Sequence, residues 1–294
     1  MQIQQPEIEA FANHLKNLGK SASTVESYTR DARRFHQYLK INRSAGLEAN
    51  QLLAYQDYLR SKNEKENSIR RSVIGIRQFF RYLTEVRGKS FSSPFDEVPI
   101  PTRLESTPHY LTTKNIDSLL ELCEQNPNKL KASRDKAIIS LLAFEGLKAS
   151  ELIGCEWSDF IQSTAKQASL HIRGDRHRVV SLSAKTSNAL IEYRAQCKNL
   201  APEFRKKMFI SFKGRDAALP LPAMSRHGLK FMLSEIAQQT NLKKLNSELL
   251  RYYAISRMNK EGHTTADIMA HLGLKRLGNI AKVFNLQVNR SAHS

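Results

Sequence analysis

Apolar residues recur at helical spacing through the first ninety positions, in four stretches. Residues 7–18 place Ile8, Phe11, Ala12 and Leu15 on one face. A second stretch covers 23–40 and opens with Ser23 and Glu26, three apart, the pattern of a capping box. A third covers 48–61 and a fourth 67–87. In the fourth, Ile69, Val73, Ile76, Phe80 and Leu83 form an apolar stripe. Arg70, Arg77 and Arg81 form a basic stripe about a quarter turn away. Such a helix packs on one side and offers the other to phosphate or to water.

The pattern then breaks. Gly88, Ser90, Ser92, Ser93, Pro94, Pro99 and Pro101 exclude a helix, so residues 88–107 are expected to be irregular. This divides the chain into a helical domain over 1–88, a linker over 89–107 and a second domain over 108–294.

The second domain mixes two periods. Thr112–Glu124 and Ser133–Phe144 are amphipathic helices. Leu170–Arg173 and Arg178–Leu182 alternate as strands, and Gly174-Asp175-Arg176-His177 between them suits a tight hairpin turn. Helices are expected at 184–197, 222–240, 247–260, 264–273 and 276–290, with one more short strand at Phe209–Phe212. The fold class is therefore mainly α with a small β-hairpin or sheet.

Charge changes the picture. The 294 residues hold 46 Lys and Arg against 28 Asp and Glu, a net charge of +18. Residues 1–100 contribute +5 and the remainder +13. Such an excess favours polyanions, because each neutralised phosphate releases condensed counterions. Hydrophobic residues make up 40%, which suits packed domains, and no run is long enough to span a membrane. The first residues carry neither the basic nor the apolar region of a secretory signal, so a cytoplasmic, nucleoid-associated protein is expected. Cys123, Cys155 and Cys197 lie far apart in apolar segments, without the spacing of a zinc site, and are expected to be buried thiols.

Two motifs carry a resemblance. Gly146-Leu147-Lys148-Ala149-Ser150-Glu151-Leu152 is followed by Trp157-Ser158-Asp159. Glu248-Leu249-Leu250-Arg251-Tyr252 is followed by Gly262 and then by Leu272-Gly273-Leu274. Together, in this order and at this separation, they resemble the tyrosine recombinase or phage integrase family, of Xer-like type. The resemblance covers nearly the whole chain. It implies an N-terminal core-binding, SAM-like DNA-binding domain and an α+β domain of the catalytic type. It also implies double-stranded DNA as the partner, with no cofactor and no metal. Members assemble on DNA, so the chain itself or an active recombinase is a further expected partner.

In that family a tyrosine attacks a phosphodiester, two arginines hold the nonbridging oxygens, and histidines and a hairpin lysine move protons. Here most of those positions have changed. Lys148 stands for the first arginine and lacks the planar fork. Arg173 stands for the lysine and cannot give up its proton. Glu248, Tyr252 and Leu274 stand for histidines, and only Arg251 matches. Ten residues after Leu274 comes Phe284, with Val283 beside it, where the nucleophile belongs. No tyrosine follows Tyr253 in the sequence, and Ser291 and Ser294 are the side-chain hydroxyls after Phe284.

The reading is a DNA-binding protein without intact catalytic residues, in a regulatory, architectural or accessory role. Its phosphate-contact candidates are Arg70, Arg77, Arg81, Lys148, Arg173, Arg176, Arg178 and Arg251. Two alternatives stay open: an active recombinase with altered chemistry, and a protein-interaction module on the same fold.

Overall fold

The computed structural model describes residues 4–42, 48–91, 95–102, 110–164, 167–202, 205–212, 220–221, 223–240, 242 and 244–275. The chain divides into two compact units, Met1–Thr107 and Pro108–Ser294. The class is the expected one, mostly helical with a small sheet. No helix among the described residues is long and apolar enough to cross a membrane.

The first unit is built on α1 (Gln5–Asn17), α2 (Ala22–Ile41), α3 (Ala49–Ser61) and α4 (Glu66–Glu85). Ile8, Phe11 and Leu15 of α1 meet Phe35, Tyr55, Phe79 and Phe80 in one aromatic-rich core. The apolar spacing thus marks the buried face of each helix. The cap of α2 differs from expectation. Gly19 turns the chain with φ +67, and Ser21, not Ser23, accepts from the backbone N–H of Thr24 at 3.3 Å. Ser23 falls inside the first turn.

Part of the stretch expected as a linker packs on the first unit. Phe95 and Val98 are buried in the first unit's core, and Phe95 stacks on Phe80 with ring centroids 3.5 Å apart. Prolines stop a helix, but they do not stop two apolar residues three apart from burying.

The second unit centres on α6 (Lys129–Ala143), which packs against α5 (Thr113–Glu124), α8 (Ala184–Cys197) and α10 (Ser247–Lys260). Ala137 to Ala143 of α6 are all buried. The helix starts four residues earlier than expected, because Asn128 caps it by accepting from Lys131 N–H at 3.1 Å. Its first turn carries little apolar signal. The remaining α-helices among the described residues are α7 (Ala149–Gly154), α9 (Arg226–Gln239) and α11 (Thr265–Leu272).

Three strands form an antiparallel sheet in sequence order, β1 (Phe160–Gln162), β2 (Ala168–Ile172) and β3 (Arg178–Ser181). The hairpin between β2 and β3 turns at Gly174, whose φ is +95. Its register pairs Leu170 with Val180, which places both on the core side. β4 (Ser211–Phe212) pairs with β5 (Pro220–Leu221), so the strand expected over 209–212 covers only its last two residues. Phe209 and Ile210 are buried just before it. The helix expected at 276–290, with Val283, Phe284, Ser291 and Ser294, lies outside the described residues.

Candidate nucleic-acid interface

The site begins at a glycine. The turn after α6 passes through Gly146 with φ +63. A Cβ there would stand 2.5 Å from Leu272 Cδ2 and 3.1 Å from Ala254 Cβ. Only a residue without a side chain lets α10 and α11 close on this turn. The closeness puts backbone carbonyls within reach of Arg251 on α10. Its guanidinium donates to Gly146 O and, at 2.9 Å, to Leu272 O. Arg251 is 8% exposed.

Glu151 gathers the neighbours. Its Oε2 accepts from the backbone N–H of Lys148 at 2.9 Å, which caps α7. Both its oxygens accept from Arg178 of β3, at 3.0 and 3.1 Å. Lys148 Nζ lies 3.8 Å away and Arg251 NH1 3.9 Å. Arg178 also donates to His271 O at 2.7 Å, and Arg176 to Gly273 O at 2.5 Å. Gly273 ends α11 in the left-handed region, and a Cβ there would meet Arg178 NH1 at 2.8 Å. The Gly146 turn, α7, the hairpin, α10 and α11 therefore converge on one carboxylate and four cations.

The charges act on one another. Burial pushes the Arg251 pKa down to about 10, with Glu151 opposing and Arg178 and Arg176 adding to the fall. Burial also lowers the Lys148 ammonium; Glu151 opposes this, and the three arginines reinforce it. Burial works to raise the Glu151 carboxyl, but hydrogen bonds from Arg178 and Lys148, with the nearby positive charge, bring it below its ordinary range. Four cations against one carboxylate leave positive potential unbalanced, the condition that attracts an oxyanion. Lys148 remains one-third exposed and is the most accessible of the cations paired with Glu151.

Not every candidate joins this cluster. Arg173 turns to the short 3₁₀ segment Trp157–Asp159, donating to Asp159 at 2.6 Å, Ser158 at 3.0 Å and Glu156 at 3.2 Å. Glu248 is exposed and accepts from Tyr252 Oη at 2.7 Å. Leu274 packs half-buried beside Ile255, Met258, Ile268 and Leu272. The α4 stripe meets protein: Arg70 donates to Pro101 O at 2.7 Å, while Arg77 and Arg81 pair with Asp96 at 3.4 and 3.2 Å.

Sequence reasoning missed Glu151 as the hub, although its place three residues after Lys148 is a capping pattern. It also missed Arg226 and Lys230 of α9. These line a groove of about 310 Å³ with Ala149, Asn246 and Glu248. Trp157 is half-buried among Phe160 and Tyr193 and serves packing. Cys123, Cys155 and Cys197 are buried free thiols; burial raises all three, Cys155 to about 12 and Cys197 to about 11. Among the described residues, no cluster of His, Cys, Asp and Glu could hold a metal ion.

A four-helix first unit, followed by a helical unit whose hairpin and helices gather cations, defines a DNA-binding fold of the recombinase class. The chain belongs to the phage integrase family: residues 109–285 match that family and residues 8–86 match its N-terminal SAM-like domain. It is 28% identical over 263 residues to tyrosine recombinase XerD of Halalkalibacterium halodurans, covering 87% of this chain and 84% of that protein. It is 27% identical over 290 residues to tyrosine recombinase XerC of Roseiflexus castenholzii, covering 90% and 88%. Among solved structures it resembles the XerH site-specific recombinase bound to palindromic difH substrate. The TM-score there is 0.73 at 15% identity, over 99% of this chain and 88% of that one. It also resembles the Tn1549 transposon integrase in complex with circular intermediate DNA, with TM-score 0.68 at 14% identity over 98% and 99%.

Proposed function

We propose that this chain binds the backbone of double-stranded DNA and does not cut it, acting as a regulatory, architectural or accessory member of its family. The observation that carries the binding half is the convergence of Lys148, Arg178 and Arg251 on the single carboxylate of Glu151, with Arg176 close by on Gly273 O. A phosphodiester supplies the missing negative charge, and Lys148 is the best exposed of the three cations paired with Glu151. DNA-bound relatives such as XerH on difH and the lambda integrase dimer on a core site agree with this reading.

The non-cutting half rests on what surrounds the cluster. Phe284 and its neighbour Val283 offer no hydroxyl at the family's nucleophile position. Glu248 and Leu274 stand where the family moves protons. A carboxylate at 248 repels phosphate, and a leucine at 274 can neither donate a hydrogen bond nor carry charge. Arg173 is engaged by two carboxylates and holds its proton too firmly to protonate a leaving oxygen.

A second reading, an active recombinase with altered chemistry, is favoured by similarity along most of the length of proteins named as recombinases. One experiment separates the two. The tagged protein is recovered from its own cells under denaturing conditions, with and without a chemical crosslinker, and the attached DNA is sequenced. DNA in discrete peaks only after crosslinking is expected. DNA attached without crosslinker reveals a covalent intermediate and overturns the non-cutting reading. No enrichment in either sample overturns the binding reading.

A further inference from the structure

The basic stripe of α4 already holds an anion. Asp96 presents one carboxylate oxygen to each of two arginines, Oδ1 to Arg77 Nε at 3.4 Å and Oδ2 to Arg81 NH2 at 3.2 Å. This is the arrangement in which two nonbridging oxygens of a phosphate would sit. We propose that Arg77 and Arg81 form a phosphate site for the DNA backbone that Asp96 occupies in the free protein. The proposal rests on the DNA-binding reading and adds a second contact region on the first unit, with its own built-in competitor.

The carboxylate is not needed to seat the segment that carries it. Phe95 lies face to face on Phe80 and against the edge of Phe91, and Val98 is buried. Gln56 Nε2 donates to Pro99 O at 3.2 Å, and Arg70 donates to Pro101 O at 2.7 Å. These contacts bracket Asp96 on both sides. Asp96 itself is 53% exposed at its side chain, yet Arg77 beneath it is only 16% exposed. Glu85 stands 3.8 Å from Arg81 and lowers the local potential further. The Arg81–Asp96 half of the site, 46% and 53% exposed, is open to water, and such an ion pair is weak and exchangeable. A phosphodiester replaces the carboxylate charge for charge, Asp96 rotates into solvent, and the apolar anchors stay in place. DNA affinity is therefore held below what the arginine stripe could deliver.

The test uses the full chain and a fluorescent mixed-sequence DNA duplex, titrated over a series of KCl concentrations. Asp96→Asn is compared with wild type and with Asp57→Asn. Asp57 is an exposed acid of the same unit, paired with Arg60, and controls for net charge. Asp96→Asn is expected to tighten binding by about two- to fivefold. The salt slope is expected to change little, because the same phosphate contact forms in both proteins once Asp96 has turned away. Asp57→Asn is expected to leave both nearly unchanged, and the gain is expected to vanish when Arg77→Ala and Arg81→Ala accompany Asp96→Asn. Equal effects of Asp96→Asn and Asp57→Asn would reduce the result to net charge and overturn the proposal. An earlier thermal transition in Asp96→Asn without tighter binding would make Asp96 a structural staple and overturn it too. Wild type that binds while Asp96→Asn binds no better removes this proposal alone. A wild type that binds no DNA removes the DNA reading as well.

Discussion

Arg178 grips Glu151 with two parallel hydrogen bonds, NH1 to Oε1 at 3.0 Å and NH2 to Oε2 at 3.1 Å, and both side chains are about nine-tenths buried. The pair joins the β2–β3 hairpin to the start of α7. It is also the only acid–base pair among the described residues that uses both forks at this cluster. Replacing Glu151 with Gln leaves four cations facing one another in a partly dry space. Breaking a buried pair from one side costs about 3–5 kcal/mol. Urea unfolding of Glu151→Gln is expected to show a loss at the lower end of that range, since Arg178 keeps His271 O as an acceptor. A loss under about 1 kcal/mol would show that solvent already screens the cluster.

The same carboxylate predicts an acid limb. Glu151 is held below the ordinary glutamate value of 4.5. The unfolded chain therefore takes up this proton first as pH falls. The stabilisation is fully present above 4.5 and is lost as pH drops through the folded value. His271 adds to the loss at higher pH. Burial lowers its pKa from 6.5, with Glu145 opposing and Arg178 and Arg257 assisting. The unfolded chain again binds the proton first, so stability begins to fall as pH goes below 6.5. Replacing His271 with Asn is expected to flatten the stability profile just below pH 6.5 while leaving the Glu151 limb intact. An unchanged profile in chemical denaturation at matched pH would dismiss the histidine contribution.

Gly146 and Gly174 both have positive φ, at +63 and +95, but their surroundings differ. A Cβ at 146 lands against Leu272 and Ala254, whereas at 174 nothing lies within 4 Å. Gly174→Ala is expected to cost only the backbone penalty, about 1–2 kcal/mol. Gly146→Ala adds overpacking of about 1–3 kcal/mol and pushes α10 and α11 from the turn that anchors Arg251. Thermal unfolding should rank the two variants clearly, and weaker DNA binding should follow Gly146→Ala only. Equal melting of the two would contradict the close approach.

How far the sequence could be read follows from the range of each signal. The stripes of α1 and α4 were visible because burial of Ile8, Phe11, Ile69 and Val73 repeats within one helix. The arginine stripe was visible too, but its occupant was not. Asp96 lies 15 residues from Arg81, in a proline-containing stretch without periodicity. Lys148 and Arg251 could be picked out from their motifs, yet Glu151 as their shared counter-charge requires the hairpin to fold back. The choice between Arg173 and Arg176 illustrates this. One precedes the turn and the other lies within it, and the folded hairpin sends the first to Asp159 and the second to Gly273. β1 gave no signal, since it has three residues and two of them are exposed.

Lys148 is expected to carry the larger share of phosphate binding at the second unit. Lys148→Gln should weaken duplex binding at moderate salt and flatten the salt slope by about 0.9. Arg173→Gln should do much less, because Arg173 is already paired with Asp159 and Glu156. Fluorescence titrations at several KCl concentrations measure both quantities. A steeper loss at 173 than at 148 would move the contact to the other side of the hairpin.

Placing a tyrosine at 284 is not expected to restore strand cleavage. A phenol at that position needs a phosphate held for in-line attack, a proton acceptor, and a donor for the leaving oxygen. Phe284→Tyr supplies the first nucleophilic atom and nothing else. Glu248 still presents negative charge and Leu274 an alkyl group, and Lys148 offers a point charge where a fork is needed. Cleavage should require Lys148→Arg, Arg173→Lys, Glu248→His and Leu274→His together with Phe284→Tyr, because such groups act as a unit and not additively. The check is a nicked duplex carrying the site recovered from cells, incubated with each variant and run on a denaturing gel. A covalent protein–DNA band is expected with the fivefold variant and absent with Phe284→Tyr alone. A band with the single change would mean that the cluster around Glu151, as it stands, already positions a phosphate for attack.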